Sequence, residues 1–340
     1  MVSERGLEVL RVIVHDFVAN REPVGSKSIV DRHSFGVSAA TIRNDMAQLE
    51  EEELIAAPHT SSGRVPTDKG YRLFVDQLAD RRPLSAAQRR AIEEFLDASL
   101  DFDDVLNRTA RALSRLTNQV AIVQYPSFAR ALVRHVEVIV LAPVQLLVIV
   151  ITDRGQVEQR RVDVDEVVDA ESIERIKRTL NGILIGAEVS RAAALLEGLV
   201  AELPPGDAEL AARIAEIVVE QLAAYRQDRL VLAGAANLAR TEEDFTGSIF
   251  PVLEALEEQV VLLKLFAEME MDPSGVTSRI GRENASFGLG ETSVLAGGYH
   301  SSSGEIARVG VLGPTRMDYQ SNMAAVRAVA RYLSRLLGEA

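Results

Sequence analysis

The 340-residue sequence contains no cysteine and no tryptophan, and only 5% of its residues are aromatic. The absence of cysteine excludes disulfides, thiolate metal sites and cysteine nucleophiles. The five histidines are scattered, without the short spacing of a metal-binding pair. Since the chain also displays no nucleophile–base pair, it is not expected to be an enzyme, and no cofactor or metal is predicted.

A long hydrophobic run is also missing. The most apolar stretch, residues 136–151, is interrupted by Glu137, Pro143 and Gln145 and is too short to span a bilayer. Charged residues near the N-terminus leave no apolar core for a signal peptide. We therefore predict a cytoplasmic protein with no membrane partner.

The sequence has fewer basic than acidic residues. The formal net charge is -13, and residues 1–82 contribute -2 of it, with 11 Lys and Arg against 13 Asp and Glu. Four of those acids form the run Glu50–Glu53, without which the segment is slightly basic. Because non-specific DNA binding is mostly phosphate neutralisation, any DNA binding here must depend on a few well-placed contacts.

Residues 22–71 have the order of elements typical of a winged helix-turn-helix. An amphipathic helix over residues 4–20 precedes them. A short helix is predicted at 26–32 with Ser26 as its N-cap, and Ser38 is predicted to cap a third helix that ends near Glu52. Two short strands around a polar, glycine-containing tip and a closing helix are predicted at residues 54–58, 64–67 and 69–78.

The third helix has a buried face and a face suited to base edges. Ile42, Met46 and Leu49 recur at i, i+4 and i+7 and are predicted to be buried. A polar helix face is common on any protein surface, so the DNA-binding interpretation depends on the neighbouring elements. The remaining faces carry small and hydrogen-bonding residues, namely Ala40, Thr41, Arg43, Asn44, Ala47 and Gln48.

In a winged helix-turn-helix the third helix enters the major groove. Arg43 is predicted to read guanine, and Asn44 to read adenine or bind phosphate. Ser38 and Thr41 suit a phosphate oxygen at the helix start, and Arg21 is a further candidate for a phosphate contact. The predicted DNA-binding residues are Lys27, Ser38, Thr41, Arg43, Asn44, Gln48, Ser61, Ser62 and Arg64.

Three other features receive structural interpretations. Asp45 is predicted to pair with Arg32 or to cap backbone. Residues 288–292 resemble a nucleotide loop but lack its lysine, so a turn is predicted. Arg316 and Asp318 are predicted to brace the junction between a strand and a helix.

The rest of the chain indicates an α+β protein whose β-rich domain is interrupted by a helical insert. Residues 135–142, 146–152, 157–164 and 306–312 are predicted strands. Residues 170–269 are predicted to be mainly helical, and a last helix is predicted at residues 321–337. The predicted domains are a DNA-binding domain (1–82), a domain in two segments (83–168 and 270–340) and an insert (169–269).

Several strings of the sequence resemble the HrcA family of heat-inducible transcription repressors. They are PVGSK (23–27), SAATIRNDM (38–46), Leu49-Glu50, HTSSGRVPTDKGY (59–71), RIGREN (279–284) and GPTRMDY (313–319). The resemblance implies an N-terminal winged helix, a GAF-like domain and an inserted dimerising domain. It also implies a homodimer on an inverted-repeat CIRCE operator of chaperone genes, with the GroE chaperonin modulating its activity and repression lost on heat stress.

An alternative interpretation is a winged-helix regulator whose GAF-like domain binds a metabolite. A saturable ligand that shifts both the melting temperature and the operator affinity would favour it.

Overall fold

The structure is a computed structural model and describes residues 2–59, 62–77, 90, 102–126, 131–153, 155–165, 167–224, 229–245, 247–270, 275–300 and 306–338. The chain divides into two compact units. The first comprises Met1–Tyr125, Leu230–Tyr299 and Arg308–Arg335, and the second comprises Pro126–Arg229, His300–Ala307 and Leu336–Ala340. Helices and antiparallel sheets occur together in the chain, which confirms the predicted α+β class.

The N-terminal segment, residues 2–77, follows the predicted order of elements closely. Its elements are α1 (Glu4–Asn20), α2 (Ser26–Arg32), α3 (Ala39–Glu51), β1 (Ile55–Ala56), β2 (Val65–Pro66) and α4 (Asp68–Asp76). The hairpin strands are shorter than predicted, since only Ile55↔Pro66 and Ala56↔Val65 are paired. A separate bridge between Val24 and Arg64 joins the hairpin to the start of α2.

Hydroxyl caps determine where three of these helices begin. The side-chain oxygens of Ser3, Ser38 and Thr67 each accept a hydrogen bond from the backbone N–H three residues further on, at 3.0, 3.3 and 3.1 Å. The prediction that Ser26 caps α2 was wrong. Gly25 has the extended backbone of an N-cap, and Ser26 is already the first helical residue.

The remaining elements, in chain order, are α5 (Phe102–Thr117), β3 (Val120–Gln124), β4 (Val133–Ala142), β5 (Gln145–Thr152), β6 (Val157–Asp163), α6 (Ala170–Leu184), α7 (Ala192–Leu196), α8 (Ala208–Ala224), β7 (Leu230–Ala233), α9 (Ala236–Arg240), α10 (Phe250–Glu258), α11 (Val260–Glu268), β8 (Thr277–Ile280), β9 (Thr292–His300), β10 (Ile306–Pro314) and α12 (Tyr319–Gly338). Short 3₁₀ turns lie between them, among them Glu242–Asp244 and Gly281–Phe287.

A five-stranded sheet in the order β7-β3-β10-β9-β8 forms the centre of the first unit. Helix α5 packs against β3 and β7. Gly297 of β9 leaves room for α12, because a Cβ at this glycine would lie 3.2 Å from the Ala330 side chain. Helices α10 and α11 contribute to one apolar core with the sheet, which includes Val120, Ile122, Val252, Leu256, Leu262, Leu265, Phe266, Val294 and Leu312.

The second unit has a three-stranded sheet of its own, in the order β4-β5-β6. Helix α8 packs against β5 and β6, and Gln221 donates a hydrogen bond to the Val148 carbonyl at 3.2 Å. On α6, the Asn181 amide bonds both backbone groups of Val136 on β4. The face whose side chains alternate with the buried residues is here called the outer sheet face. It carries the aliphatic residues Ile139, Leu147, Ile149, Ile151 and Val157 and, beside them, the polar residues His135, Glu137, Gln159 and Arg161.

The compact units do not follow the domain borders predicted from the sequence. Strands β4–β6 were grouped with residues 270–340, whereas they form a separate sheet with the helices of the second unit. Strand β7 lies inside the region predicted to be mainly helical, and it pairs with β3. Periodicity cannot distinguish so short an apolar run, Leu230–Ala233, from part of a buried helix.

Candidate nucleic-acid interface

The helix α3 is held by one face and presents the other to solvent. Its predicted core residues Ile42, Met46 and Leu49 are all buried, and α3 packs against both α1 and α2. Ser38 caps its first turn, and the Ser38 hydroxyl also lies 3.1 Å from the Thr41 hydroxyl. The unpaired N–H groups of this first turn and the two hydroxyls are suited to a phosphate oxygen.

The solvent-facing side of α3 matches the predicted set of residues. Arg43, Asn44 and Gln48 are exposed, with the small residues Ala40 and Ala47 between them. Within the described part of the chain, no hydrogen bond or ion pair engages the side chains of Arg43, Asn44 or Gln48. Three long polar side chains beside two alanines can approach base edges closely without first breaking an internal contact.

Asp45 lies on the buried side of α3 and fixes that helix to α1. Its carboxylate accepts two hydrogen bonds from Arg5, from Nε at 2.7 Å and from Nη2 at 3.0 Å. The prediction that Asp45 pairs with Arg32 was wrong, because Arg32 lies near Asp16 instead, at 3.9 Å. Hydrogen bonding and the charge of Asp45 raise the pKa of Arg5 above its ordinary value.

We expect Arg5→Ala to lower the melting temperature, because it leaves the Asp45 carboxylate buried without its charged partner. Removing both partners should restore part of the loss, since the buried charge is then gone. Thermal unfolding of Arg5→Ala, Asp45→Ala and the double variant measures this. Arg11→Ala, an exposed arginine of the same helix, is the control. An Arg5→Ala protein that melts like the parent would contradict this assignment.

A second buried carboxylate fixes the turn between α2 and α3. Asp16 of α1 is 5% exposed, and both of its oxygens lie 3.1 Å from Nε2 of His33. His33 directly follows α2, so this contact anchors the start of the turn to α1. Two carboxylates on different helices therefore determine how α2 and α3 sit on α1.

The hairpin is braced against α3 by a residue predicted to contact DNA. Arg64 donates from Nε to Glu50 at 3.0 Å and from Nη1 to the Ser62 carbonyl at 3.2 Å. Ser62 closes the hairpin tip through hydrogen bonds with the backbone of His59. Arg64 thus has an internal contact in addition to its predicted role, and one oxygen of Glu50 is engaged by it.

The other side chains predicted to contact DNA differ in whether they already have a partner within the protein. Lys27 is exposed on α2 and has no ion pair with another described residue. Arg21 pairs with Glu243 at 3.2 Å and with Asp244 at 3.1 Å, so its guanidinium is already engaged. Ser61 lies outside the described residues.

Arg316 makes a brace, but not with the predicted partner. Its Nε and Nη2 donate to Asp244 at 2.6 and 2.8 Å, whereas Asp318 accepts from the backbone N–H of Ser321 at the start of α12. Arg5 and Asp244 were not among the residues predicted for the site. Neither has a local signal, because their partners are 40 and 72 residues away in the chain.

The described residues contain no group of three or more His, Asp or Glu side chains that could hold a metal ion.

Residues 288–292 provide the predicted turn, with Gly288 at a φ of +72°. Among the described helices, none is both long enough and apolar enough to cross a membrane.

Comparison with known proteins shows similarity along the whole chain. Residues 103–323 match the family described as HrcA protein C terminal domain. The chain is 65% identical over 339 residues to the heat-inducible transcription repressor HrcA of Clavibacter michiganensis subsp. michiganensis, and 63% identical over 340 residues to that of Leifsonia xyli subsp. xyli. Each comparison covers 100% of both chains.

A solved structure shares the fold. It is a crystal structure of a hypothetical protein, 26% identical in sequence, with a TM-score of 0.69 over 100% of this chain and 99% of that chain.

Proposed function

Since the chain belongs to the HrcA family of heat-inducible transcription repressors, we propose that it represses chaperone (heat-shock) operons by binding an inverted-repeat operator of the CIRCE type as a homodimer. The family consists of transcription regulators, not enzymes. The observation that carries the proposal is the exposed row Arg43, Asn44 and Gln48, which makes no internal contact with the described residues.

In this proposal the N-terminal segment is a winged helix-turn-helix. Helices α2 and α3 form the helix-turn-helix, the hairpin β1–β2 is the wing, and α3 is the recognition helix. Its support is the order of the elements, the capped and exposed start of α3, and the hairpin braced beside it through Arg64 and Glu50. Ser38, Thr41 and Lys27 would contact phosphates, while Arg43 and Asn44 would read bases.

The rest of the first unit is proposed to be the GAF-like domain. Its central sheet has α5 packed on β3 and β7 and α12 close to Gly297 of β9, and it is built from chain segments on either side of the second unit. The second unit, placed between β3 and β7, is the natural candidate for the inserted dimerising domain.

The outer sheet face supports dimerisation through that second unit. Ile139 is 41% exposed and Val157 is 58% exposed, and they flank the half-buried Leu147, Ile149 and Ile151 of the central strand. The aliphatic stripe is bordered on the same face by the polar partners His135, Glu137, Gln159 and Arg161. An exposed aliphatic centre with a polar rim is characteristic of a surface that another protein covers. A second copy of the chain is the proposed occupant, because a two-fold operator requires two recognition helices.

A homodimer also explains how a chain with an acidic net charge could bind DNA tightly. One winged helix with few cations has little general attraction for phosphate. Two linked copies convert the second half-site contact into an intramolecular event, which raises the overall affinity without new contacts. The acidic remainder of the chain then disfavours binding elsewhere on DNA.

The resemblance to HrcA also supports control by the GroE chaperonin. We propose that the chaperonin keeps the repressor in its DNA-binding form and that heat stress diverts the chaperonin to unfolded proteins. Repression is then lost because fewer repressor dimers are active.

A binding titration tests the proposed function. Fluorescence anisotropy with a labelled CIRCE inverted repeat should give saturable binding of one dimer per duplex, stronger than binding to a scrambled duplex of the same composition. Adding chaperonin and ATP to heat-treated protein should restore the active fraction. Equal affinity for the repeat and the scrambled duplex would reject operator recognition, whereas failure of the chaperonin arm alone would reject only the regulation.

A further inference from the structure

Two sequence strings that base recognition does not use both contact the N-terminal segment. They are RIGREN (279–284) and GPTRMDY (313–319), and each supplies or positions a charged side chain beside one helix of that segment. The partner helices are α4 and α1 respectively. All of these contacts lie within the first compact unit. The part of that unit outside the N-terminal segment, residues 102–125, 230–299 and 308–335, is here called the body.

The first contact, here called the α1 clamp, is centred on Arg316. Its guanidinium binds Asp244 through two hydrogen bonds, and it also donates from Nη1 to the Val18 carbonyl at 2.5 Å. Val18 is in the last turn of α1, where backbone carbonyls have no partner within the helix. Asp244 is held further by Arg21, which follows α1, at 3.1 Å.

The α1 clamp is shielded from water. The Arg316 side chain is 13% exposed, and the Asp244 side chain is 4% exposed. A bidentate pair of this kind imposes a fixed geometry, because both hydrogen bonds form only when the guanidinium and carboxylate planes are aligned. Removal of one partner leaves the other charge buried without compensation.

The second contact, here called the α4 clamp, joins Arg72 to Glu283. Arg72 donates from Nε to Glu283 at 2.8 Å and binds the Ser278 hydroxyl and carbonyl at 2.9 and 2.8 Å. Glu283 also accepts from the Ile280 backbone N–H at 2.9 Å, so its carboxylate is fixed on both sides. Although burial lowers the pKa of Arg72, Glu283 raises it overall above its ordinary value.

The start of α4 fits closely against the same body turn. Asp68 accepts a hydrogen bond from the backbone N–H of Arg282 at 2.9 Å. Gly281 has a φ of +53°, and a side chain there would collide with the Asp68 carboxylate. Between the two clamps, the ring of Tyr71 packs on that of Tyr319 with centroids 5.5 Å apart.

Two clamps on different helices do more than tether the N-terminal segment. A single ion pair permits rotation about the contact, whereas fixed contacts on the first and last helices determine one orientation. None of the clamp residues belongs to the exposed row Arg43, Asn44 and Gln48 on α3. The clamps can therefore determine the direction of the recognition helix without contributing to base contacts.

We propose that Arg316 with Asp244 and Arg72 with Glu283 are positioning residues that set the half-site spacing the repressor accepts. This inference rests on the proposed function, because it assumes a dimer on an inverted repeat. Two recognition helices fit two half-sites only when their separation and angle match the DNA helical repeat. If each N-terminal segment could rotate on its body, operators of several spacings would be bound with similar affinity.

The test measures how the operator affinity depends on half-site spacing, in the parent protein and in the full-length double variant Arg316→Gln/Arg72→Gln. Binding is measured on the CIRCE repeat, on the same repeat with a spacer longer by about five base pairs, which is half a helical turn, and on a single half-site. We expect the parent to lose about 100-fold in affinity on the longer spacer, and the double variant only a few-fold. Affinity for the single half-site should be the same in both proteins.

The control variant is Arg11→Gln/Arg331→Gln, which removes two exposed arginines of α1 and α12 and should keep the spacing preference of the parent. A folded clamp variant that keeps the parental preference would overturn the proposal. Equal weakening on all three DNAs would also overturn it, because that result indicates general destabilisation. A parent protein that does not distinguish the repeat from scrambled DNA would instead reject the proposed function.

The orientation of the N-terminal segment on the body can also be measured without DNA, which matters if the double variant binds the operator poorly. Because the chain has no cysteine, spin labels can be placed specifically with Glu51→Cys on α3 and Glu257→Cys on α10, both exposed. We expect one narrow distance distribution in the parent background and a broad one in the clamp variant. Narrow distributions in both proteins would overturn the proposal.

Discussion

Replacing Arg43 with alanine is expected to weaken operator binding by about 1–3 kcal/mol and to relax specificity at one base position in each half-site. Arg43 is exposed on α3 and has no internal partner among the described residues. Its removal should therefore cost DNA contacts without disturbing the fold. A change confined to one base position would identify Arg43 as a base-reading residue and not a phosphate contact.

The measurement is a set of anisotropy titrations against operators that carry each base pair at every half-site position. Lys27→Ala provides the contrast, because loss of a phosphate contact weakens binding to all sequences and reduces the slope of log affinity against log salt by about one. Arg11→Ala, on the exposed side of α1, is the control that should leave binding unchanged. Parental affinity and specificity in a folded Arg43→Ala protein would remove Arg43 from the interface.

Much of the N-terminal segment could be predicted because its determinants are local. The i, i+4, i+7 spacing of Ile42, Met46 and Leu49 fixes which side of α3 is buried and so which side is exposed. The N-cap at Ser38 depends on a hydrogen bond to a residue three positions away. Short-range patterns of this kind are present in one sequence without any knowledge of tertiary structure.

The residues that orient the candidate interface could not be predicted, because their partners are distant in the chain. Arg32 is as plausible a partner for Asp45 as Arg5, and Asp318 is closer in sequence to Arg316 than Asp244 is. Tertiary packing determines which partner each residue has, because it brings the start of α1 to α3 and the turn at 242–244 to the end of α1. Composition also cannot assign short apolar runs such as Leu230–Ala233 to a sheet.

A glutamate at the centre of the outer sheet face should convert the protein to a monomer and abolish high-affinity operator binding. Ile149 is in the central strand of the second unit, paired with Glu137 on β4 and with Gln159 on β6. If this face meets its two-fold partner, Ile149→Glu would bury two like charges close together, which is strongly unfavourable. Loss of dimerisation removes the effective-concentration gain and should reduce operator affinity by about 100-fold or more.

Analytical ultracentrifugation at several protein concentrations, together with operator titration, measures both effects. Val167→Glu is the matched control. It places the same charge at an apolar side chain of the second unit that is 74% exposed and lies outside the described sheet. Circular dichroism should show that both variants keep the parental secondary structure.

Deleting the whole helical region would not show where the two copies of the chain meet. A deletion of residues 170–264 also removes β7, α10 and most of α11, and with them core residues such as Val252, Leu256 and Leu262 of the first unit. The loss of dimers would then reflect a damaged core as much as a missing interface. Ile149→Glu changes one half-buried side chain on the outer sheet face and leaves the core residues of the first unit in place. An Ile149→Glu protein that still sediments as a dimer would show that the two copies meet elsewhere.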